Sequence, residues 1–248
     1  MIAIRLAANL STMFQESPFD QRADSAAALG FSGLEAQFPY DTPIADWKRV
    51  VEASGLPLVL LNAPRGIGPG VASLVDRRAE FAASMERAAE YAVALSCPRV
   101  HVLAGCGGDR QCYLDNLALA VELLRPNGIG VVIEVLNQHD VPGYHLRSAA
   151  DALAVMASVP GVGLQFDVYH STRAGEDVAA TLRSLPASPA HVQVSSCPGR
   201  HEPDDPIIDG MLNAIELGYT GMVGCEYWPR SNTLDGLGWA FRFGVGHR

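Results

Sequence analysis

The 248 residues carry 18 basic and 27 acidic side chains, a formal net charge of −9, and 48 % are hydrophobic. A chain of this size buries roughly 75 % of its unfolded surface, so a core forms without disulfides or a partner, and the acidic balance argues against nucleic acid as a ligand. Lys48 is the only lysine, on the polar side of a helical pattern, which leaves Schiff-base chemistry a single anchor.

No apolar run approaches the ~20 residues of a membrane span, so no membrane partner is expected. The opening MIAIRLAANLS has too short an apolar run and no clean cleavage site for a signal peptide, and reads as a first strand. Cys97, Cys106, Cys112, Cys197 and Cys225 form no CxxC pair, which points to free thiols in a cytoplasmic protein. Oligomeric state is left open, a homo-oligomer included.

In chain order, a strand at 3–10 leads to a helix at 18–29, and a strand at 33–38 to a helix at 43–54. Strands at 57–62 and 99–105 lead to helices at 71–96 and 109–126. Strands at 129–137 and 162–170 lead to helices at 147–158 and 174–185. The last two strands, 190–196 and 221–228, lead to helices at 207–217 and 233–242. Pro18, Pro43 and Pro206 stand where helices begin, and Gly30, Gly128 and Gly218 stand where they end. Runs such as VVIEV and VGLQFD are apolar on both faces, as parallel strands buried between layers require. Eight βα units of about 31 residues, with no linker between them, predict an α/β fold: a (β/α)8 TIM barrel in which residues 1–248 form one domain.

Each strand ends in a polar residue: Asn9, Glu35, Asn62, His101, Glu134, Asp167, Gln193 and Glu226. In a barrel whose strands all run the same way these ends converge on one rim, where active sites form. Burying Glu134, Asp167 and Glu226 around one point is costly without a cation. A divalent ion with Gln193 as a neutral fourth oxygen donor answers the charge, and an all-oxygen set suits Mg²⁺ or Mn²⁺. Against this stands the plainer reading of a strand-end acid as a loop cap or ion-pair partner. His170 is placed to contact substrate. Arg200 and His201 read either as binders of a carboxylate or hydroxyls, or as members of a loop tied to Glu202, Asp204 or Asp205. His101 and His191 read as satisfied core residues, as do His139, His145 and His247 in loops. HEPDD (201–205) is not a zincin HExxH, and GIGPG (66–70) is not a dinucleotide loop.

The blocks ANLSTMF, FPYD (38–41), RVHVLAG (99–105), VIEVLNQHDVPGYHL (132–146), LQFDVYH (164–170), HVQVSSCPGRHEP (191–203), GCEYWPR (224–230) and GLGWAF (236–241) carry a resemblance. Together they resemble the hydroxypyruvate isomerase family, within the xylose-isomerase-like TIM barrels. The resemblance implies metal ligands at Glu134, Asp167, Gln193 and Glu226, and an acid/base pair at Glu134 and Glu226. It implies pocket-lining roles for His170, Arg200 and His201, and His101 is added as a candidate substrate contact. The implied reaction isomerises hydroxypyruvate to tartronate semialdehyde (2-hydroxy-3-oxopropanoate) through an enediolate. A 2-oxo-tetronate isomerase or a ketose 3-epimerase on the same site are alternatives, as is a dehydratase of this superfamily. More distant are an apurinic endonuclease-like barrel and a non-catalytic sugar-binding barrel. The chain departs from the family at the loop 62–71, at Ser196, at EVLN (134–137) and at Asp204–Asp209, all on the rim.

Overall fold

In the computed structural model, residues 4–246 are described. Eight short strands form one closed barrel in the order β1 to β8: β1 Leu6–Asn9, β2 Gly33–Ala36, β3 Leu58–Asn62, β4 Arg99–His101, β5 Gly130–Glu134, β6 Val162–Asp167, β7 His191–Val194 and β8 Val223–Cys225. Every neighbouring pair is parallel, and β1 closes on β8 with Leu6 opposite Val223. The strands are almost entirely buried, which accounts for their apolar, β-branched runs. The helices form the outer ring: α1 Phe19–Ala28, α2 Ile44–Ser54, α3 Arg78–Ala94, α4 Arg110–Leu124, α5 Ala149–Ser158, α6 Val168–Arg173, α7 Val178–Ser184 and α8 Asp205–Glu216. The eight-unit barrel expected from the sequence is therefore the fold.

Punctuation follows the sequence closely. Pro18 and Pro43 occupy the N-caps of α1 and α2, and Pro206 lies in the first turn of α8. Side-chain caps from Asp109, Ser148, Asp177 and Asp204 receive backbone N–H groups of α4, α5, α7 and α8. Gly128 ends its helical stretch with φ 72°, the left-handed conformation that glycine tolerates best.

Four expectations need correction. The strand expected at 162–170 stops at Asp167, because its Oδ1 accepts from Tyr169 N at 2.9 Å and turns the chain directly into α6. His170 thus rides on a helical turn. The helix expected at 174–185 is interrupted: α6 ends before Gly175 (φ 77°) and Asp177 caps a separate α7. The helix expected at 71–96 begins only at Arg78, since Ser73 N donates to Ala104 O at 2.8 Å and draws residues 71–74 onto the loop after β4. The last expected helix, 233–242, is a 3-10 helix over Asp235–Phe243. Ala3 of the first expected strand and His247 lie outside the described residues.

Candidate active site

Glu134 ends β5, Asp167 ends β6, and Glu226 follows β8 directly, so three carboxylates reach the C-terminal mouth of the barrel. The Glu134 and Asp167 side chains are 7 % and 0 % exposed, and that of Glu226 is 12 % exposed. Burial of this kind penalises ionised carboxylates. Burial, with Asp167 and Glu226 adding like charge, pushes Glu134 well above the usual carboxylate range. Glu226 is pushed up to about 7 by burial, against the opposing pull of Arg200. Asp167 moves in the same direction for the same first reason, again opposed by Arg200.

One cation already answers this charge. Arg200 Nη2 lies 2.7 Å from Glu226 Oε1 and 3.3 Å from Asp167 Oδ2, bridging the two. Burial draws its pKa down, but the facing Glu226, Asp167 and Glu134 charges outweigh that and hold the guanidinium charged. The Arg200 backbone takes φ 51°, unusual for a non-glycine residue. It is pinned there by Arg200 N donating to Ser196 O at 2.8 Å and by Trp228 N donating to Arg200 O at 2.8 Å. Its guanidinium also stacks over the Tyr169 ring, 4.6 Å from the centroid. Of the two readings left open for the loop, Arg200 takes neither Glu202 nor Asp204 nor Asp205 as partner. Glu202 pairs with Arg230, Asp205 with Arg242, and Asp204 caps α8. His201 turns its Nδ1 to the Trp228 carbonyl at 2.8 Å and its backbone N–H to Ser196 Oγ, so the structure uses it to shape the loop.

The two remaining histidines of interest border the carboxylates. His101 is fully buried, its Nδ1 3.3 Å from Asn62 Oδ1, while Nε2 faces Glu134 Oε2 at 3.6 Å without a hydrogen bond. Burial, with His191 adding to it, lowers its pKa to about 3, so the ring is neutral. His170 Nε2 faces Asp167 Oδ2 at 3.9 Å. Ligand atoms of Glu134, Asp167 and His170 lie within 4.8 Å of one another, a spacing that a metal ion spans.

Gln193, the fourth oxygen donor expected, is buried next to Asp167 in register. Its Nε2 donates to Glu35 Oε2 at 2.8 Å, and its Oε1 accepts from Gln165 Nε2 at 2.6 Å. Glu35 in turn is hydrogen-bonded to His191 Nε2 and accepts from Asn9 Nδ2 at 3.2 Å. A Cβ at Gly224 would collide with the Glu35 carboxylate, so glycine at that point of β8 makes room for the buried acid. His191 is therefore a core residue hydrogen-bonded to a buried acid, as its position at the start of β7 allows.

Sequence reasoning overlooked three contributors. Gln165 stands opposite Glu134 in register and donates to Gln193 at 2.6 Å. Gln37 Nε2 donates to Glu226 Oε1 at 2.9 Å. Asn137 holds His170. The strand period gave a signal for Gln165, since it lies two residues before Asp167 and shares its face. Nothing local marks Gln37, whose partner is distant in sequence. Among the described residues no cysteine forms a disulfide, and no helix is long and apolar enough to cross a membrane.

Comparison with known proteins agrees with this architecture. A 2-oxo-tetronate isomerase from Cupriavidus necator is 40 % identical over 95 % of this chain and 96 % of its own. A hydroxypyruvate isomerase from Escherichia coli is 33 % identical over 95 % of this chain and 98 % of its own. A crystal structure of a protein described as AP endonuclease, family 2, from Brucella melitensis has a TM-score of 0.90 and 36 % identity, covering 96 % of this chain and 98 % of that one. The family model described as xylose isomerase-like TIM barrel matches residues 23–243, and the chain belongs to that family.

Proposed function

We propose that this chain is a metal-dependent isomerase of short 2-oxo acids, with 2-oxo-tetronate as the leading substrate and hydroxypyruvate, one carbon shorter, as the second. The single observation that supports it most is the meeting of Glu134, Asp167 and Glu226 at the barrel mouth with one guanidinium, Arg200, between them. The higher identity to the 2-oxo-tetronate isomerase than to the hydroxypyruvate isomerase sets the order of substrates. Both acids carry a carboxylate next to a ketone and a hydroxyl-bearing carbon, so one chemistry serves both.

The residues present fit a divalent cation. Asp167 and Glu226 already draw a cationic group between them, and the donors are oxygens that hard ions prefer. Glu134, Asp167, Gln193 and Glu226 would hold it, and Mg²⁺ or Mn²⁺ suits them. Bound there, the ion supplies Lewis-acid stabilisation of negative charge on the substrate oxygens. The chain's own groups do the rest. One of Glu134 and Glu226 removes the proton from the hydroxyl-bearing carbon, giving an enediolate, the hydroxyl proton passes to the former ketone oxygen, and the other Glu returns a proton to the neighbouring carbon. Arg200, held charged, is the group to receive the substrate carboxylate. His170 offers its Nε2 to a substrate oxygen, and His101 backs Glu134 from the side of β4. A net charge of −9 disfavours the phosphate backbone that an endonuclease must engage.

The test is an NMR assay in D2O with added Mg²⁺ or Mn²⁺, offering 2-oxo-tetronate, hydroxypyruvate and D-psicose. Turnover of the acids with solvent deuterium entering the carbon skeleton is expected. Turnover of psicose alone would overturn the reading in favour of an epimerase, and turnover of the acids without deuterium entering the migrating position would replace the enediolate by a hydride shift.

A further inference from the structure

The residues that hold His170 determine what its other nitrogen can do. Asn137 N donates to His170 Nδ1 at 3.1 Å, and Asn137 Nδ2 lies 2.8 Å from the same atom. A backbone N–H has no acceptor alternative, so Nδ1 must offer a lone pair whichever way the amide is drawn. The amide orientation is settled independently. Asn137 Oδ1 accepts from His139 N at 3.1 Å and Asp140 N at 2.9 Å, which leaves Nδ2 to face Asp140 Oδ2 at 3.0 Å and the imidazole. The acceptor Asp140 is itself fastened by Tyr169 Oη at 2.5 Å and Arg173 Nε at 3.2 Å, so the loop after β5 is locked onto α6.

We infer that Asn137 is a positioning residue that fixes His170 as the neutral Nε2–H tautomer, a hydrogen-bond donor into the site and not a metal ligand. The consequence is specific, because spacing alone groups His170 with Glu134 and Asp167 as a metal-binding set. A neutral imidazole binds a cation through a lone pair, and the lone pair here is spent on Asn137. Nε2 stands 3.9 Å from Asp167 Oδ2, beyond hydrogen-bond distance, so its proton remains available to an oxygen that gains negative charge during isomerisation. The arrangement is polarised toward donation: two N–H groups anchor one side of the ring and one N–H leaves the other. The inference rests on the isomerase reading for its catalytic meaning, but not for the tautomer.

Long-range ¹H–¹⁵N spectra of ¹⁵N-histidine-labelled protein read the tautomer directly, with His170→Gln identifying the signals. Wild-type protein should show a pyridine-like Nδ1 and a pyrrole-like Nε2, unchanged on adding Mg²⁺. A pyridine-like Nε2, with or without Mg²⁺, overturns the assignment. Asn137→Asp keeps the acceptor that ties His139 and Asp140 but puts a carboxylate oxygen where Nδ2 stood, an acceptor that competes with the backbone N–H for Nδ1, so it should populate the Nδ1–H tautomer and lower kcat by about tenfold to a hundredfold while KM moves less. An Asn137→Asp protein with the wild-type tautomer and wild-type kcat overturns the positioning role. Failure of the isomerase reading would appear separately, as wild-type protein that shows the expected tautomer and turns over neither acid.

Discussion

Glu35 and Glu134 are both buried acids inside one barrel, yet their surroundings differ in kind. Glu35 is met by His191, by Asn9 and by Gln193, three partners that answer both of its oxygens, and β8 is reduced to glycine beside it. Glu134 stands opposite Gln165 in register, with a histidine at 3.6 Å that does not hydrogen-bond and two further acids raising its pKa. Both oxygens of Glu35 are answered within the folded chain. The Glu134 cluster gathers like charges with fewer donors to answer them, a difference in surroundings that burial alone does not reveal.

The largest expected effect tests the Glu35 cluster. Glu35→Ala leaves His191 and Gln193 facing a void without their acceptor, and each buried polar group left unsatisfied costs about 1–3 kcal/mol. Urea unfolding of the metal-free protein should show that loss, whereas Glu134→Ala should leave stability unchanged or raise it, since it removes repulsion with Asp167 and Glu226. Equal losses in the two variants would erase the distinction. Next in size is the catalytic side of the comparison. Glu134→Gln and Glu226→Gln should each lower kcat by at least ~10², with the fold intact by circular dichroism. Near-wild-type turnover on the true substrate would remove that residue from the acid/base pair.

A smaller effect follows from pH. Burial raises Glu134, Glu226 and Asp167 in the folded protein, whereas the unfolded chain releases those protons in the ordinary carboxylate range. Between that range and about pH 7 the folded state therefore binds more protons than the unfolded one, so the stability of the metal-free protein falls as pH rises. A decline on the order of 2 kcal/mol between about pH 5 and about pH 8 is expected in chemical denaturation. A flat or rising profile in the metal-free protein would show that Arg200 alone neutralises the site, and the contrast with Glu35 would then be one of geometry only.

How much of this was legible in the chain depends on how far each interaction reaches. The barrel was readable because eight apolar runs, proline starts and glycine stops are local signals, each confined to a few neighbours. Asp167 was readable as a strand-end acid, but its capping of Tyr169 N, which turns the chain into α6, was not, because the pattern LQFDVYH continues apolar through the turn. The convergence of Glu134, Asp167 and Glu226 followed from topology alone. Arg200 was singled out but left between two readings, since only the folded loop decides whether it faces Glu202 or the barrel mouth. The Glu35–His191 pair joins residues 156 positions apart and Gln37–Glu226 joins residues 189 apart. Nothing in their immediate sequence announces either.

The smallest effect concerns Arg200, the residue that makes the cluster of like charges tolerable before substrate binds. Its planar fork reaches Asp167 and Glu226 at once and stacks on Tyr169, three contacts that depend on shape as much as on charge. Arg200→Lys keeps the charge and loses the fork, so it cannot span both carboxylates and grip a substrate carboxylate in two-point fashion. KM for 2-oxo-tetronate and hydroxypyruvate should rise about tenfold with kcat changed less, worth about 1.4 kcal/mol of binding. A kcat loss with unchanged KM would instead place Arg200 among the groups that act on the transition state. That outcome would move the boundary of the reactive cluster outward, from the carboxylates to the cation that now sits between them.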